Sequence, residues 1–256
     1  MPSSKKATSP SGVTIEFDEA AHRYFSTLPS GDEIVYTSVT SMVKQFFKPF
    51  DSEAVANKVS TSSGQTQAEV LAMWKQAGEY ACTVGTHVHE VGEDVLLGLQ
   101  PRNKPADEHE RKLMKQVWIA ANEVRTKMKV HSVEAILFDV GTEIAGTADF
   151  TAWDRYGNYW ILDWKTNAKL STESRYGQRG LGVLAHLDDC DLVRYGLQLS
   201  TYEYLTVKGG YVPRNTSVKR AIVHLGEDGY KIIPTTSYPI EVRDMIIAAN
   251  LDNVPF

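Results

Sequence analysis

Apolar residues recur at helical spacing in three stretches of the chain, where side chains three or four positions apart share one face. Residues 67–97 carry such a pattern with a predicted break near Gly85, and residues 192–208 carry another. The clearest amphipathic helix spans residues 107–129, because its apolar stripe lies opposite a face rich in Lys, Arg and Glu. The stripe of this helix consists of Leu113, Val117, Ala120, Val124 and Met128.

Elsewhere the pattern changes to the alternation and β-branched content that are typical of strands. In the middle of the chain three such segments are separated by turn signals, which predicts a three-stranded meander. Two strands follow it near the C-terminal end, and three short ones precede a helix that begins at Ser38. The predicted strands are residues 13–17, 22–25, 34–36, 132–139, 143–153, 158–166, 219–225 and 230–234.

The third strand of the meander, residues 158–166, is apolar on both faces, as a central strand covered by helices would be. The element order therefore predicts an α/β core (α-β-β-β-α-β) in which helices flank a mixed sheet, preceded by an N-terminal β/α extension. No internal repeat divides the chain. We expect one domain over residues 13–256, preceded by a disordered tail of residues 1–12.

Composition excludes several classes of protein. The chain has 256 residues and a formal net charge of −5 at pH 7, and none of its apolar runs reaches the roughly 18 residues of a membrane span. Cys82 and Cys190 are too few for a four-thiolate iron–sulfur cluster, and the N-terminus lacks the apolar segment of a secretory signal. We therefore expect a cytoplasmic protein with no membrane partner and no iron–sulfur cluster; its oligomeric state stays open.

Three acidic residues are expected to lie side by side across the meander. The register set by a tight turn at residues 141–142 places Glu134 opposite Asp149. The register of the next hairpin places Asp149 opposite Asp163, unless a bulge at Gly157 shifts that register by one residue. Directly opposed like charges repel each other, so a positive charge is expected between these carboxylates.

Two sources of positive charge are available to this acidic row. Lys165 lies two residues beyond Asp163 and so on the same face of its strand. A divalent cation can supply the rest, and oxygen ligands of this kind suit Mg²⁺ or Mn²⁺. The alternative is an ordinary polar strand face, although the apolar Tyr159 and Ile161 on that face make a solvated surface less favourable.

The residues around this row resemble a known family. Gly146-Thr-Ala-Asp149-Phe and Ile161-Leu-Asp163-Trp-Lys165-Thr are similar to the sequence elements of the PD-(D/E)XK nuclease superfamily. Two further segments resemble its RecB-like exonuclease branch, including phage-type members. They are Gly85-Thr-His-Val-His89-Glu-Val-Gly-Glu93, which is similar to a Gly-x-x-x-His-x-x-x-Glu helix, and Gln198-Leu-Ser-Thr-Tyr202, which is similar to a Gln-x-x-x-Tyr helix. His22-Arg-Tyr24 with Ser38-Val-Thr40 is a weaker resemblance.

The resemblance implies a restriction-endonuclease-like core over about residues 85–235 and metal-dependent hydrolysis of phosphodiester bonds from DNA ends. It implies Asp149, Asp163 and Lys165 as catalytic residues, and one or two Mg²⁺ or Mn²⁺ ions. The expected metal ligands are His89, Asp149, Asp163 and the backbone carbonyl of Trp164. His87 is the rival histidine, because a His-x-His pair can also bind zinc.

Other residues are expected to support the catalytic group. His89 and Glu93 are four positions apart and so share a helix face. Glu93 and Glu134 are expected to hold water or to support the metal ligands from outside the coordination shell. The predicted long loop at residues 167–190 carries bases that can contact phosphates, as a lid or a strand guide. The expected DNA contacts are Gln198, Tyr202, Lys169, Arg175 and Arg179.

Several functions fit these residues. An exonuclease acting in DNA recombination or replication is the first, and a structure-specific or site-specific endonuclease on the same core is the second. A non-catalytic nucleic-acid-binding protein is the third, although every acidic and lysine position of the motif is filled. A metallohydrolase using His87 and His89 is a more distant alternative. Digestion polarity, strand preference and RNA cleavage do not follow from the sequence.

Overall fold

The computed structural model describes residues 4–252, and within this range one nine-stranded mixed sheet runs through the molecule. Its strand order is β1-β2-β3-β4-β6-β7-β8-β9, with β5 paired to β6 outside this path. The strands are β1 (Ser4–Thr8), β2 (Thr14–Asp18), β3 (Arg23–Thr27), β4 (Glu33–Ser38), β5 (Lys129–Asp139), β6 (Ile144–Trp153), β7 (Tyr159–Lys165), β8 (Val218–Gly226) and β9 (Gly229–Pro234). The helices are α1 (Val39–Gln45), α2 (Ser52–Ser63), α3 (Gln67–Leu96), α4 (Glu108–Lys127), α5 (Asp191–Lys208) and α6 (Pro239–Asp252).

The two long helices before the meander begin at well-formed caps. At the start of α3 the Thr66 hydroxyl accepts a hydrogen bond from the Glu69 amide at 3.2 Å, and the Glu69 carboxylate accepts one from the Thr66 amide at 2.7 Å. The Asp107 carboxylate caps α4. The predicted break near Gly85 is wrong, because α3 is continuous and an isolated glycine weakens a helix interior without ending it.

Two apolar layers cover the two faces of the central sheet. One lies under α3 and α4, where the side chains of Val88, Val117 and Trp164 are packed together. The other lies under α1, α5 and α6, with Ile161 and Leu197 among its fully buried side chains. The central strand β7 therefore lies between helices on both faces, as its sequence predicts, and the α/β core with a mixed sheet is confirmed.

The predicted hairpin registers agree with the sheet on both sides of β6. Ala135 pairs with Ala148 and Val133 pairs with Phe150, so Glu134 and Asp149 occupy the matching positions between these pairs. The ladder between β6 and β7 ends at the pair Phe150 and Leu162, one residue before Asp149, so no bulge has shifted it.

The alternation of sides is interrupted where the acidic residues lie. Val133 packs under α3 and α4 whereas Ala135 packs under α5, although residues two apart on a regular strand share a face. The change occurs at Glu134, whose φ of 50° lies in the left-handed region. On β6, Ala148 and Phe150 divide between the same two layers, so the change there occurs at Asp149.

A fork in the sheet opens beside Asp149. The whole of β6 pairs with β5 along one edge, so its remaining edge receives both β4 and β7. Strand β4 pairs with Ile144 and Ala145, and β7 pairs from Phe150 to Trp153. The edge of β6 between these two ladders therefore carries no strand partner in the described chain and faces the gap between β4 and β7.

The expectation of a disordered tail is wrong for Ser4–Thr8, which form β1. This strand pairs with β2 through Lys5 with Phe17 and Ala7 with Ile15, and Ile15 is fully buried. Packing of Ala7 and Ile15 with apolar residues of β5 and β6 stabilises the strand, and this distant partner is invisible in the local composition. Residues 1–3 of the predicted tail lie outside the described residues.

The remaining segments complete the layers around the sheet. The long stretch between β7 and α5 contains a short 3-10 turn at Gly182–Leu184, and the buried Leu184 side chain anchors this stretch in the layer under α5. Helix α6, which the sequence pattern does not predict, packs against α5. Among the described helices none combines the length and the apolar character needed to cross a membrane.

Candidate active site

A cleft of about 670 Å³ opens at the fork between β4 and β7. Helix α3 forms one wall, α5 contributes a second, and the N-terminal strands contribute a third. Eight of the residues singled out from the sequence line this one cleft: His89, Glu93, Glu134, Asp149, Asp163, Lys165, Gln198 and Tyr202. The structure thus brings together the expected catalytic residues and most of the residues expected around them.

Asp149 holds β6 to β7 at the point where their ladder ends. Its carboxylate Oδ2 accepts a hydrogen bond from the backbone amide of Trp164 at 2.7 Å. The expected backbone pair between Asp149 and Asp163 is therefore replaced by a side-chain contact one residue further along β7. Burial raises the pKa of the Asp149 carboxyl, but the imidazole of His89 and the ammonium of Lys165 outweigh burial, so this pKa lies below its usual range.

Asp163, Lys165 and Gln198 form a bonded group beside Asp149. The Lys165 ammonium makes an ion pair with Asp163, whose residue is only 2% exposed. The Gln198 amide connects the two, since it donates to Asp163 Oδ1 at 3.3 Å and accepts from Lys165 Nζ at 3.5 Å. The Lys165 ammonium also lies 4.4 Å from the centre of the Tyr195 ring. This lysine is therefore held in one orientation by three neighbours.

The pKa values of Asp163 and Lys165 are both raised, which favours the neutral form of the carboxyl and the charged form of the ammonium. Burial and the nearby Asp149 raise the pKa of the Asp163 carboxyl. Burial lowers the pKa of the Lys165 ammonium, but Asp163 and Asp149 outweigh burial and raise it above its usual value. Lys165 therefore stays protonated at neutral pH.

Tyr202 lies deeper than a surface DNA contact would. It is 2% exposed, and its hydroxyl accepts a hydrogen bond from Gln198 Nε2 at 3.3 Å. Its ring packs against Gly146 so closely that a Cβ atom at that position would lie 2.8 Å from the ring. The glycine of the Gly146-Thr-Ala-Asp149 segment is thus required by the close approach of α5 to β6.

The two candidate histidines of α3 have different partners. His89 Nδ1 lies 3.4 Å from Asp149 Oδ2 inside the cleft, whereas His87 Nδ1 lies 2.7 Å from Glu110 Oε1 on α4. Burial lowers the pKa of the His89 imidazole, but Asp149 outweighs burial and raises this pKa to about 9. The position of His89, and not that of His87, agrees with the expected ligand set.

Glu134 and Glu93 add two further carboxylates to the cleft. Burial, Asp149 and Glu93 raise the pKa of the Glu134 carboxyl to about 7. Burial also raises the pKa of the Glu93 carboxyl, although Lys5 and Arg102 oppose this effect. Both carboxyls take up protons more readily than usual, chiefly because burial disfavours the charged carboxylate.

The side chains in the cleft fit a divalent cation by their chemistry. Six carboxylates and two imidazoles line the same cleft, and these are donors that Mg²⁺ and Mn²⁺ sites use. Within the described residues no three acidic, histidine or cysteine side chains are already gathered at metal-binding distances. The reason is visible in the ion pairs, since Lys165 is bound to Asp163 and His89 faces Asp149.

The loop bases expected to contact DNA lie elsewhere. In the part of the chain that the structure describes, Lys169, Arg175 and Arg179 are exposed on the long loop and are not among the residues lining the cleft. Arg179 holds the loop together, because it pairs with Asp188 at 3.0 Å and donates to the His186 carbonyl at 3.0 Å. Their role in DNA binding stays a prediction.

The third wall of the cleft contains residues that sequence reasoning missed. Lys5 and Phe17 line it from β1 and β2. The polar composition of residues 4–8 does not distinguish a strand from a disordered segment, and Lys5 enters the cleft only because these residues form β1. The weaker resemblance at His22 to Tyr24 and Ser38 to Thr40 did point to this wall, because the four end residues of those two segments all line the cleft.

The mixed sheet and the acidic cleft define the class of protein, a hydrolytic nuclease with a restriction-endonuclease-like core. Comparison with known protein families matches residues 43–246 to the PD-(D/E)XK nuclease superfamily. The chain therefore belongs to the PD-(D/E)XK nuclease superfamily, and the resemblance drawn from its motifs is confirmed at that level.

The solved structures similar to this chain include two distant ones. A protein named SSO0001 is 13% identical, with a TM-score of 0.32 over 86% of this chain and 77% of its own. A candidate exonuclease from Eubacterium rectale is 14% identical, with a TM-score of 0.36 over 85% of this chain and 79% of its own. Both similarities are too weak to support an argument about activity. No curated protein sequence matches this chain.

Proposed function

We propose that the protein is a deoxyribonuclease of the RecB-like branch that uses Mg²⁺ or Mn²⁺ and hydrolyses phosphodiester bonds from DNA ends. One observation carries the proposal. The His89 helix, the Asp149 and Asp163 strands and the Gln198 helix, whose motifs resemble that branch, all reach one cleft at the fork of the sheet. Family membership supports a nucleic acid as the substrate.

The residues that would hold the ion are His89, Asp149, Asp163 and the backbone carbonyl of Trp164. A bound divalent cation supplies a Lewis acid that polarises a phosphate oxygen and lowers the pKa of water. His89 must lose its proton to act as a ligand, because a metal binds the neutral imidazole. Its raised pKa therefore makes ion binding favourable at higher pH and accompanied by proton release.

Lys165 serves as a hydrogen-bond donor and an orienting group in this proposal. Its raised pKa keeps the ammonium charged, so it cannot accept a proton from water in the state described here. It can donate hydrogen bonds to the attacking water and to the developing negative charge on the phosphate. Gln198 holds the Lys165 ammonium in place relative to Asp163, so the ammonium has fewer orientations to lose when the reacting groups align.

Incubation of linear and covalently closed circular DNA with Mg²⁺ tests both the cleavage of DNA and its dependence on DNA ends. We expect linear DNA to be degraded to short products, circles to persist, and an Asp163→Asn variant to be inactive. The matched control is Asp228→Asn in the exposed turn between β8 and β9, which should cleave like the parent.

Three other results contradict different parts of the proposal. Equal loss of circles and linear molecules would replace the exonuclease by an endonuclease on the same core. An absence of cleavage with either ion would favour a non-catalytic nucleic-acid-binding protein. Undiminished cleavage by Asp163→Asn would remove the cleft from the reaction.

A further inference from the structure

The wall of the cleft that β1, β2 and β3 contribute lies outside the segment that the family comparison matches, which begins at residue 43. It therefore cannot be explained by the shared catalytic core. Apart from Glu19, its residues are aromatic or basic, in contrast to the acidic floor of the cleft. Those that face the cleft are Lys5, Phe17, Glu19, His22 and Tyr24.

This wall is fixed in position relative to the catalytic residues. The Tyr24 hydroxyl is hydrogen-bonded to Thr147 Oγ1 at 2.8 Å, and Thr147 precedes Asp149 by two residues on β6. Tyr24 is 5% exposed and packs with apolar residues of β5 and β6. The wall is therefore a rigid neighbour of Asp149 and not a separate lobe.

Three aromatic rings pack against one another on this wall. The Phe17 ring stacks on Tyr24, with centroids 4.3 Å apart and an interplanar angle of 21°. The His22 ring meets Phe17 edge-on at 5.4 Å and 74°. His22 is exposed, and its φ of 50° is held by a turn in which the Asp18 carboxylate accepts hydrogen bonds from two backbone amides. The outermost ring is thus presented to the cleft by a defined backbone conformation.

Lys5 places a positive charge beside these rings. Its ammonium lies 3.0 Å from Glu19 and 3.5 Å from Glu134, and its side chain is 42% exposed. An ammonium has three hydrogen-bond donors, and the two glutamates account for two of them. The third is available to an anionic group that enters the cleft.

We propose that this wall is a subsite for one unpaired nucleotide, in which the His22 ring stacks on the base, Phe17 supports His22 edge-on and Lys5 contacts the phosphate. The proposal rests on the proposed function, because the nucleic acid is the substrate assigned there. A base inside a duplex is already stacked and offers no free face to a side-chain ring, whereas an unpaired base does. The subsite therefore favours single-stranded DNA or a frayed end.

The phosphate contact is tested by the salt dependence of binding. Binding of a fluorescein-labelled single-stranded oligodeoxynucleotide is measured by anisotropy, with all proteins carrying Asp163→Asn so that the strand is not cleaved. Each phosphate contact contributes about 0.7 to the slope of log affinity against log salt for a single strand. We expect Lys5→Gln to reduce this slope by about 0.7.

Lys6→Gln is the matched control for this measurement. Lys6 lies on the same strand, pairs with Glu16 at 2.5 Å and does not line the cleft, so its removal should leave the slope unchanged. Equal slopes for Lys5→Gln and the parent, with unchanged circular dichroism, would refute the phosphate contact. Equal decreases of the slope in Lys5→Gln and Lys6→Gln would mean that Lys5 attracts the strand only through its charge, without a specific phosphate contact, and would refute the subsite contact.

The stacking contact is tested with oligonucleotides that carry one abasic position each. The parent should lose about fivefold to a hundredfold in affinity at one position of the scan, since stacking of one base contributes about 1–3 kcal/mol. His22→Asn removes the ring while tolerating the left-handed backbone, and it should bind abasic and intact strands more nearly equally. His186→Asn on the exposed loop is the control.

These measurements separate the subsite from the proposed function. If the Asp163→Asn parent shows the Lys5 and His22 signatures but the unsubstituted protein cleaves no DNA, the proposed function is refuted and the subsite is retained. If the unsubstituted protein cleaves DNA but the Asp163→Asn parent shows no special position in the abasic scan, the function is retained and the subsite is refuted. Equal effects of His22→Asn on a blunt duplex and on a single strand would refute the preference for an unpaired base.

Discussion

Substitution of Gly92 by alanine tests how the helix carrying His89 is held against the active strand. A Cβ atom at position 92 would lie 2.9 Å from Trp164 Nε1, 3.0 Å from Trp164 Cε2 and 3.0 Å from Val117 Cγ2. The favourable separation of such atoms is about 3.5–4.0 Å. Trp164 is 1% exposed and Val117 is fully buried, so neither side chain can move into solvent.

Two opposing effects determine how much Gly92→Ala changes the free energy of unfolding. Overpacking of a close-packed core costs about 1–3 kcal/mol. Replacing a glycine inside a helix by alanine stabilises it by about 0.8–1.0 kcal/mol. We therefore expect Gly92→Ala to lower the free energy of unfolding by about 0–2 kcal/mol. The loss in kcat should exceed the change in KM, because displacement of Trp164 moves Asp163 and Lys165 on either side of it.

The same helix offers two matched controls. A Cβ at Gly78 meets nothing within 4 Å, and one at Gly85 lies 3.5 Å from Thr166 Oγ1, an ordinary contact. Gly78→Ala should stabilise the protein by about 1 kcal/mol, and Gly85→Ala by a similar or smaller amount. Urea unfolding followed by circular dichroism gives the three values. If Gly92→Ala is as stable as Gly78→Ala, the packing argument is wrong.

Two further predictions concern the charges of the cleft. Lys165→Ala should reduce kcat about 10²- to 10⁴-fold, whereas Lys169→Ala on the exposed loop should change it little; comparable rates in both variants would exclude the assigned role. Burial and Asp149 raise the Glu134 pKa from 4.5 to about 7, so its contribution to stability is fully present below pH 4.5 and is lost as the pH rises through 7. Without divalent ions the free energy of unfolding should therefore fall by up to about 3 kcal/mol on this account, and Mg²⁺ should restore it at pH 7 and above. Glu134→Gln should flatten the fall; if it behaves like Glu227→Gln in the exposed β8–β9 turn, Glu134 is not the group responsible.

Local patterns were sufficient for the core of the candidate site. Asp163 and Lys165 share a face by the period of two, and their ion pair follows from that spacing. The hairpin registers placed Glu134 and Asp149 at matching positions because turn length fixes strand pairing. The apolar character of β7 on both faces predicted its central place in the sheet. These relations span few residues, so a single sequence contains them.

Contacts between distant segments were not predictable in the same way. The tail residue Lys5 reaches Glu134 only because β1 pairs with β2 and packs over β5. Arg179 is bound to Asp188 within its own loop, a partner that its position in the sequence did not indicate. Composition identifies such residues as basic or polar, but their partners depend on how the loop or strand packs on the rest of the chain.

The sequence alone determined the α/β class, the order of the core elements and the identity of the carboxylates and the lysine, because periodicity and turn spacing are local properties. The tertiary structure decided which edge of β6 stays open, where the left-handed Glu134 redirects the strand, and which wall faces the acids. Those features arise from β4 and β7 competing for one strand edge, and such competition exists only once the chain has folded.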